Sequence, residues 1–276
     1  MDAIYNEENL KTIIEKMAQD KASKLHILAD FDKTLSDVAY IDGKPVGSVI
    51  GLLRAGGYLT PEYSAESFEL FEKYHPLEHN QDIPRAERMI KMEEWWIKHS
   101  KLLIQHKLSK DIMDKAMIAG HLHLRPGVVE AFKLLHQNNV PVVIMSGGPA
   151  YMIQKQLELC GIFTDNVHIL ANYYEYDADG YMINYKQPII HSQNKYEIIL
   201  RDFPFFEQLK ERTNVILLGD QIDDLGMIEG FDYTNLLTIV FANKKEREKK
   251  FAPKFDVVIK EGGDFNFINN ILKQIL

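Results

Sequence analysis

Apolar residues along this chain follow two rhythms. Short runs that are apolar almost throughout stop abruptly at polar residues or glycine: Leu25 to Ala29, Val140 to Met145, His168 to Ala171, Val215 to Leu218 and Thr238 to Phe241. Such runs read as strands buried on both faces. Between them lie stretches whose apolar residues recur every three or four positions, Val128 to Gln137, Ala150 to Leu159 and Glu197 to Lys210, which predicts helices. Leu10, Ile13, Ile14 and Met17 behind Asn6, a capping residue, predict an opening helix over residues 6–18. The fold class expected from this alternation is α/β, a doubly wound, Rossmann-like parallel sheet with helices on both faces. Ligands of such sheets bind beyond the carboxyl ends of the strands. No internal repeat is evident.

One segment departs from the alternation. From Asp37 to Ala119 there is no convincing pair of buried strands. Instead PEYSAESFELFEKYH, PRAERMIKMEEWWIKHSKLLIQH and SKDIMDKAMIAG carry helical patterns separated by Pro61, Pro76, Pro84 and Ser109. The expected organisation is a core of residues 1–37 and 120–276 and a helical cap of residues 38–119. Because the cap leaves the core just after Asp30 and Asp32 and returns near His121, it is expected to lie over the strand ends as a lid. The plainer alternative is a peripheral subdomain.

Composition narrows the function. With 276 residues, 46% hydrophobic and 26% charged, the chain reads as ordered and globular. A net charge of −8 disfavours binding to a nucleic acid polymer but leaves room for a pocket that holds one small anion. The KKEREKK run, Lys244 to Lys250, is read as a solvated helix face. The single cysteine, Cys160, allows no internal disulfide and no thiolate zinc site. The opening residues are acidic where a secretory leader is basic and then apolar, and no stretch approaches a membrane span. The expected setting is the cytoplasm, with no membrane partner.

The candidate chemistry sits at the polar punctuation. Asp30 and Asp32 follow the apolar run in LHILADFDKTLS, and two residues of extended chain put both on one side. Like charges so close raise each other's pKa unless a cation intervenes. Taken alone, the pair could be solvated acids at a helix start. Three features at other strand ends argue for more: Ser146 in VVIMSGGPA, Lys195 in HSQNKYEII, and Asp220 with Asp224 in VILLGDQIDDLGM. The hydroxyl of Ser146 and the N–H groups of Gly147 and Gly148 suit a tetrahedral anion. The aspartates suit a hard cation such as Mg²⁺, while Asp223 is read as a capping acid. His75 with His79, and His121 with His123, lack further ligands at helpful spacing and are read as surface or hydrogen-bonded histidines.

The ordered set of acid pair, hydroxyl, lysine and acid resembles the haloacid dehalogenase-like phosphohydrolases, whose motifs read D-x-D-x-T, Ser or Thr, Lys, and G-D-x-x-x-D. The matching residues are Asp30, Asp32 and Thr34; Ser146; Lys195; and Asp220 with Asp224. Within that superfamily the chain is similar to the cytosolic pyrimidine 5'-nucleotidases from about Leu25 onward, through DFDKTLS, EKYHPLE, EEWWIKHSKLL, ANYYEYDADG, IIHSQNK and ILLGDQIDDLGM. The resemblance implies Mg²⁺-dependent hydrolysis of a small nucleoside 5'-monophosphate, pyrimidines preferred. It implies Asp30 as nucleophile and Asp32 as general acid and base, with Lys195 and Mg²⁺ offsetting phosphate charge. The metal would be held by Asp30, Asp220 and the backbone carbonyl of Asp32, with Asp224 acting from behind. Ser146 and the Gly147 N–H would hold the phosphoryl oxygens, and Thr34 would fix the loop. Glu78 matches the family's base-reading glutamate; His99, with Ser100 beside it, stands where the family has a serine. Trp95 or Trp96 could stack on a base. Two alternatives use the same residues: a phosphoserine-type phosphatase, and a non-catalytic phospho-ligand binding or signalling module, which would have little use for Asp32.

Overall fold

The computed structural model describes residues 3–78, 80, 82–195, 203, 205–229 and 232–276. His79, and residues 197–202 and 204 of the helix expected from Glu197 to Lys210, lie outside these. The chain opens with β1 (Ala3–Tyr5) and α1 (Glu7–Asp20). The Asn6 side chain accepts the Asn9 N–H at 2.9 Å, a cap worth about 1 kcal/mol. Leu10, Ile14 and Met17 form the buried face of α1. Next comes β2 (Leu25–Ala29), buried along its whole length, and a tight turn over Phe31–Leu35.

A hairpin of β3 (Ala39–Ile41) and β4 (Lys44–Val46) leads into four helices, α2 (Val49–Ala55), α3 (Pro61–Glu78), α4 (Arg85–Gln105) and α5 (Lys110–Ile118). The rest runs α6 (Val128–Gln137), β5 (Val142–Pro149), α7 (Ala150–Leu159), β6 (Val167–Asn172), a hairpin of β7 (Tyr174–Tyr176) and β8 (Met182–Tyr185), and α8 (Phe206–Leu209). It ends with β9 (Asn214–Gly219), helical turns over Ile222–Ile228, β10 (Asn235–Phe241), α9 (Lys245–Phe251), β11 (Val257–Ile259) and α10 (Asn266–Ile275).

The main sheet has the order β1-β11-β10-β9-β2-β5-β6. All its pairings are parallel except that of β1 with β11. The expectation of a parallel sheet therefore needs one correction, an antiparallel edge strand; three residues are too few to show a period in sequence. From β2 the chain winds outward through β5 and β6, then returns to β9 on the other side. The carboxyl end of β2 is thus a topological switch point, where doubly wound sheets bind ligands.

The helical segment differs from expectation in three places, the first being that it opens with the hairpin of β3 and β4. Pro76 does not end its helix: α3 continues to Glu78. Proline keeps a helical φ and removes one backbone hydrogen bond, and the Glu78 carbonyl beyond it is held by Arg88 Nη1 at 3.2 Å and Gln193 Nε2 at 3.1 Å. The seven residues of α2 were not foreseen, being too few for a clear period. Leu52, Leu53, Met113 and Ala116 of α2 and α5 belong to the main apolar core, whereas Tyr74, Met92 and Trp95 of α3 and α4 form a small cluster of their own. No helix among the described residues is long and apolar enough to cross a membrane.

Candidate active site

Three neighbouring strand ends supply the centre. Asp30 follows β2, Asp220 follows β9, and Ser146 lies in the last turn of β5; all three are buried and line one cavity of about 520 Å³. The Asp30 N–H donates to the Leu218 carbonyl of β9 at 2.9 Å, which continues the sheet pairing and fixes where its carboxylate begins. After it the chain turns sharply through Lys33, whose φ is +62°. Arg125 clasps this turn: its Nε donates to the Thr34 carbonyl at 3.0 Å and its Nη2 to the Lys33 carbonyl at 2.6 Å. Sequence reasoning gave the fastening role to Thr34. The Thr34 hydroxyl is buried and finds no partner among the described residues, so Arg125 performs it instead.

Lys195 reaches the same centre from the loop after β8. Its Nζ donates to Asp30 Oδ1, and to Asp224 Oδ1 at 3.0 Å. Carboxylate oxygens of Asp30, Asp220 and Asp224 lie within 4.8 Å of one another. Asp224 Oδ2 accepts the N–H groups of Asp220 and Gln221 at 3.0 and 2.9 Å. That approach requires Gly219, since a Cβ there would stand 2.7 Å from Asp224 Oδ2. Two of these buried carboxylates, Asp30 and Asp224, share the one buried ammonium of Lys195, while Asp220 has the partly exposed Lys33 at 3.9 Å, so negative charge is in excess. Burial raises the pKa of Asp30 well above the usual range, against the pull of Lys195. Burial also works against the Lys195 charge, but Asp224 and Asp30 outweigh it and hold the pKa above its ordinary value. The arrangement fits a hard divalent cation, which oxygen ligands favour and which would relieve the excess charge.

Asp32 is held apart from that triad. Its Oδ1 accepts the Val49 N–H, at the start of α2, at 2.8 Å. Burial raises its pKa to about 6, with the Val49 N–H acting in the opposite direction. Ser146 Oγ accepts the Gly148 N–H at 3.0 Å, which leaves its proton available to another acceptor. Gly148 admits no side chain, because a Cβ would lie 2.4 Å from Val49 Cγ2. Asn172 ties this turn to the lysine loop: its Nδ2 donates to the carbonyls of Gly147 and Ile190, at 2.7 and 2.8 Å.

The far wall of the cavity comes from α2, α3 and α4. Glu78, His99, Trp95 and Trp96 all line it, together with Arg54, Phe68, Phe71 and His75; Ser100, though buried, does not. Trp95 stacks on Tyr74 in the small cluster, while Trp96 approaches Gly147. His99 is buried, its Nε2 3.0 Å from Tyr63 Oη and 3.2 Å from Ser67 Oγ. Burial pulls its pKa down to about 3, so its ring is neutral at ordinary pH. His121 and His123 are not in the cavity wall. Of the other residues singled out, Asp30, Asp32, Ser146, Gly147, Lys195, Asp220 and Asp224 line it, and Thr34 does not.

Four contributors were missed. Lys33, 3.9 Å from Asp220 Oδ2, sits inside the first motif and could have been read as a second cation. Arg125 and Asn172 act through backbone carbonyls remote in sequence, and no local pattern marks them. Arg54 carried one sign, a charge inside the apolar run VIGLLRA.

Comparison with known proteins gives concordant results. The profile of the family described as "Pyrimidine 5'-nucleotidase (UMPH-1)" matches residues 33–276. A Homo sapiens protein named 7-methylguanosine phosphate-specific 5'-nucleotidase is 32% identical over 270 residues, 97% of this chain and 90% of that protein. Its Gallus gallus namesake is 30% identical over 276 residues, 99% of this chain and 95% of that one. Among solved structures, cytosolic 5'-nucleotidase IIIB bound to cytidine matches with a TM-score of 0.86 at 24% identity, covering 99% of this chain and 93% of that chain. A phosphoserine phosphatase in a phospho-aspartyl intermediate analogue form matches at 0.54 and 22% identity, covering 92% and 99%. At these identities the structural matches speak for the fold alone.

Proposed function

Because this chain belongs to the pyrimidine 5'-nucleotidase (UMPH-1) family, we propose that it hydrolyses nucleoside 5'-monophosphates, pyrimidines ahead of purines, through an aspartyl-phosphate on Asp30. Membership makes it a 5'-nucleotidase, a phosphoric monoester hydrolase of the haloacid dehalogenase-like fold. The observation that carries the finer reading is the meeting of Asp30, Asp32, Ser146, Lys195 and Asp220 in one cavity.

Asp30 attacks phosphorus and the bond to the ribose 5' oxygen breaks, while Asp32 gives that oxygen its proton. Asp32, now a carboxylate, takes a proton from the water that attacks the acyl phosphate, and inorganic phosphate leaves with Asp30 restored. A pKa near 6 lets one group serve both halves. Lys195 stays charged throughout and offsets repulsion between Asp30 and the phosphate, about 4 kcal/mol per unit pair at ~4 Å and an effective dielectric near 20. Ser146 donates its free proton, and Gly147 its N–H, to the phosphoryl oxygens as charge spreads over them. Mg²⁺, held by Asp30, Asp220 and the backbone carbonyl of Asp32, would supply the remaining positive charge. Asp224 has one oxygen on Lys195 and the other on two backbone N–H groups, and so orients Lys195. Residues 38–119 act as the lid over a core of residues 1–37 and 120–276. In the lid Glu78 reads the base, and His99, Trp95 and Trp96 shape the wall around it.

The cytoplasm is the proposed setting, by analogy with the cytosolic 5'-nucleotidase IIIB that the chain resembles. Relatives named for 7-methylguanosine phosphate make that nucleotide the chief competitor of the pyrimidines. The test is phosphate release, with Mg²⁺, from a panel of ribo- and deoxyribonucleoside monophosphates, 7-methyl-GMP, ribose 5-phosphate and phosphoserine. Highest kcat/KM on pyrimidine nucleotides is expected. Preference for phosphoserine would transfer the chain's chemistry to the other phosphatase class, and no release from any ester would leave only a binding module.

A further inference from the structure

Among the described residues, the cavity wall holds a guanidinium with a single side-chain hydrogen bond. Arg54 is only 8% exposed, inside a helix whose other residues are apolar. Its Nε donates to Ser67 Oγ at 3.2 Å, and this is its one hydrogen bond among the described residues. A guanidinium has five N–H donors, and burying it with most of them unpaired is costly. The group is nevertheless fixed. Its Cζ lies 4.3 Å from the centre of the Phe71 ring, and the Ser67 hydroxyl that holds Nε also touches His99 Nε2, which in turn meets Tyr63. Neither Tyr63, Ser67 nor neutral His99 removes its charge. Glu78, in the same cavity, acts on it electrostatically.

A fixed donor fork and a carboxylate in one pocket complement a base edge that sets an acceptor beside an amine. Cytosine offers O2 and N3 beside its N4 amine, and guanine offers O6 and N7 beside N1–H and N2. Methylation at N7 of guanine removes that acceptor and leaves a fixed positive charge on the ring. Resting on the nucleotidase reading above, we propose that Arg54 is a base-selecting residue: it donates to ring acceptors of a neutral base whose amine faces Glu78, and its charge rejects N7-methylated guanine.

The test compares kcat/KM for CMP, GMP, 7-methyl-GMP and ribose 5-phosphate at mildly acid pH, where the methylated base keeps its charge. Each nucleotide rate is divided by the ribose 5-phosphate rate of the same preparation, so that losses common to all esters cancel. In the unmodified protein, 7-methyl-GMP is expected at least about tenfold below GMP. In Arg54→Met that gap should close, and the CMP ratio should fall about tenfold or more. Arg54→Lys should keep the rejection, which needs only charge, while losing most of the CMP advantage, which needs the fork. Equal use of GMP and 7-methyl-GMP by the unmodified protein overturns the proposal, and this comparison stands even if Arg54→Met does not fold. Ratios unchanged in a folded Arg54→Met overturn it too, leaving nucleotidase activity intact. No turnover of any nucleotide removes the nucleotidase reading, and Arg54's role falls with it.

Discussion

Val49→Pro separates the lid's contribution to acid catalysis from everything else the lid does. Val49 is the first residue of α2, so no helix carbonyl takes its N–H; it donates instead to Asp32 Oδ1 at 2.8 Å. Proline is well tolerated at a first helical position. Ser48 before it is already extended, at φ −167° and ψ 164°, as a residue preceding proline must be. The substitution therefore deletes one hydrogen bond and trims a side chain that packs on Gly148. A hydrogen bond to an ionised group is worth about 1.5–3 kcal/mol, or roughly 1–2 pKa units. Asp32, raised to about 6 by burial, should then rise to about 7–8, since the lost N–H had favoured its charged form. As general acid, Asp32 works protonated in the step that kcat/KM reports, so the rate falls as pH climbs through its pKa. In the variant that fall should come about one to two pH units later. A pH profile of kcat/KM on CMP measures it, with a thermal melt to show that the fold persists. The same limb should be missing in Asp32→Asn. An alkaline limb left in place in a folded Val49→Pro would refute the idea that α2 sets the acidity of Asp32.

Asp30→Asn should cut phosphate release by about a thousandfold or more while leaving the melting transition in place; near-normal turnover would remove Asp30 from its role as nucleophile. Chelating divalent cations should destabilise the protein more at pH 7.5 than at pH 5. The folded pKa of Asp32, about 6, lies above its ordinary 3.8, so its stabilising contribution, about 3 kcal/mol, is present below 3.8 and lost as pH rises through 6. Burial moves Asp30 in the same direction. Calorimetry with EDTA and with Mg²⁺ reads the difference, and equal Mg²⁺ shifts at both pH values would count against this cluster as the cation's seat. Glu78→Ala should lower kcat/KM for CMP by roughly ten- to a hundredfold relative to ribose 5-phosphate; a parallel loss on both would deny Glu78 a part in base reading.

The buried strands were legible because β2, β5, β6, β9 and β10 are covered on both faces, so each appears as a largely apolar run, interrupted only by single polar residues such as His26, His168 and Thr238. The helices α1, α6 and α7 were legible from a single buried stripe. What escaped was short or non-local. Each of β1 and β11 is three residues long, and α2 is seven. The meeting of Asp30, Ser146 and Asp220 in one cavity was readable because each breaks an apolar run, and a polar residue there has no folding reason of its own. Arg125 and Asn172 were not, because each binds carbonyls from distant segments and its neighbours in sequence carry no trace of them. The family resemblance supplied Glu78, since nothing in the helical pattern of α3 distinguishes it from the other acids of that helix.

The helical segment proposed as a lid approaches the proposed site from its base and from its tip, and the two differ in kind. Its base, α2, contributes to the main core and binds Asp32 directly. Its tip, α3 and α4, keeps a separate cluster of Tyr74, Met92 and Trp95. Near the site the tip meets the core where Gln193 donates to the Glu78 carbonyl, which Arg88 of α4 also holds, and where Arg88 reaches Asp223. Arg88 and Gln193 both reach Asp223 Oδ2, at 3.5 and 3.0 Å, beside the Asp224 that holds Lys195. Gln193 is itself two residues from Lys195. On the proposed mechanism, a base that engages Glu78 would act through Gln193 and Asp223, and through the backbone joining Asp223 to Asp224, on the ammonium of Lys195. Contact remote from the reacting bond can then be spent on placing Lys195, so that discrimination between bases appears in kcat as well as in KM.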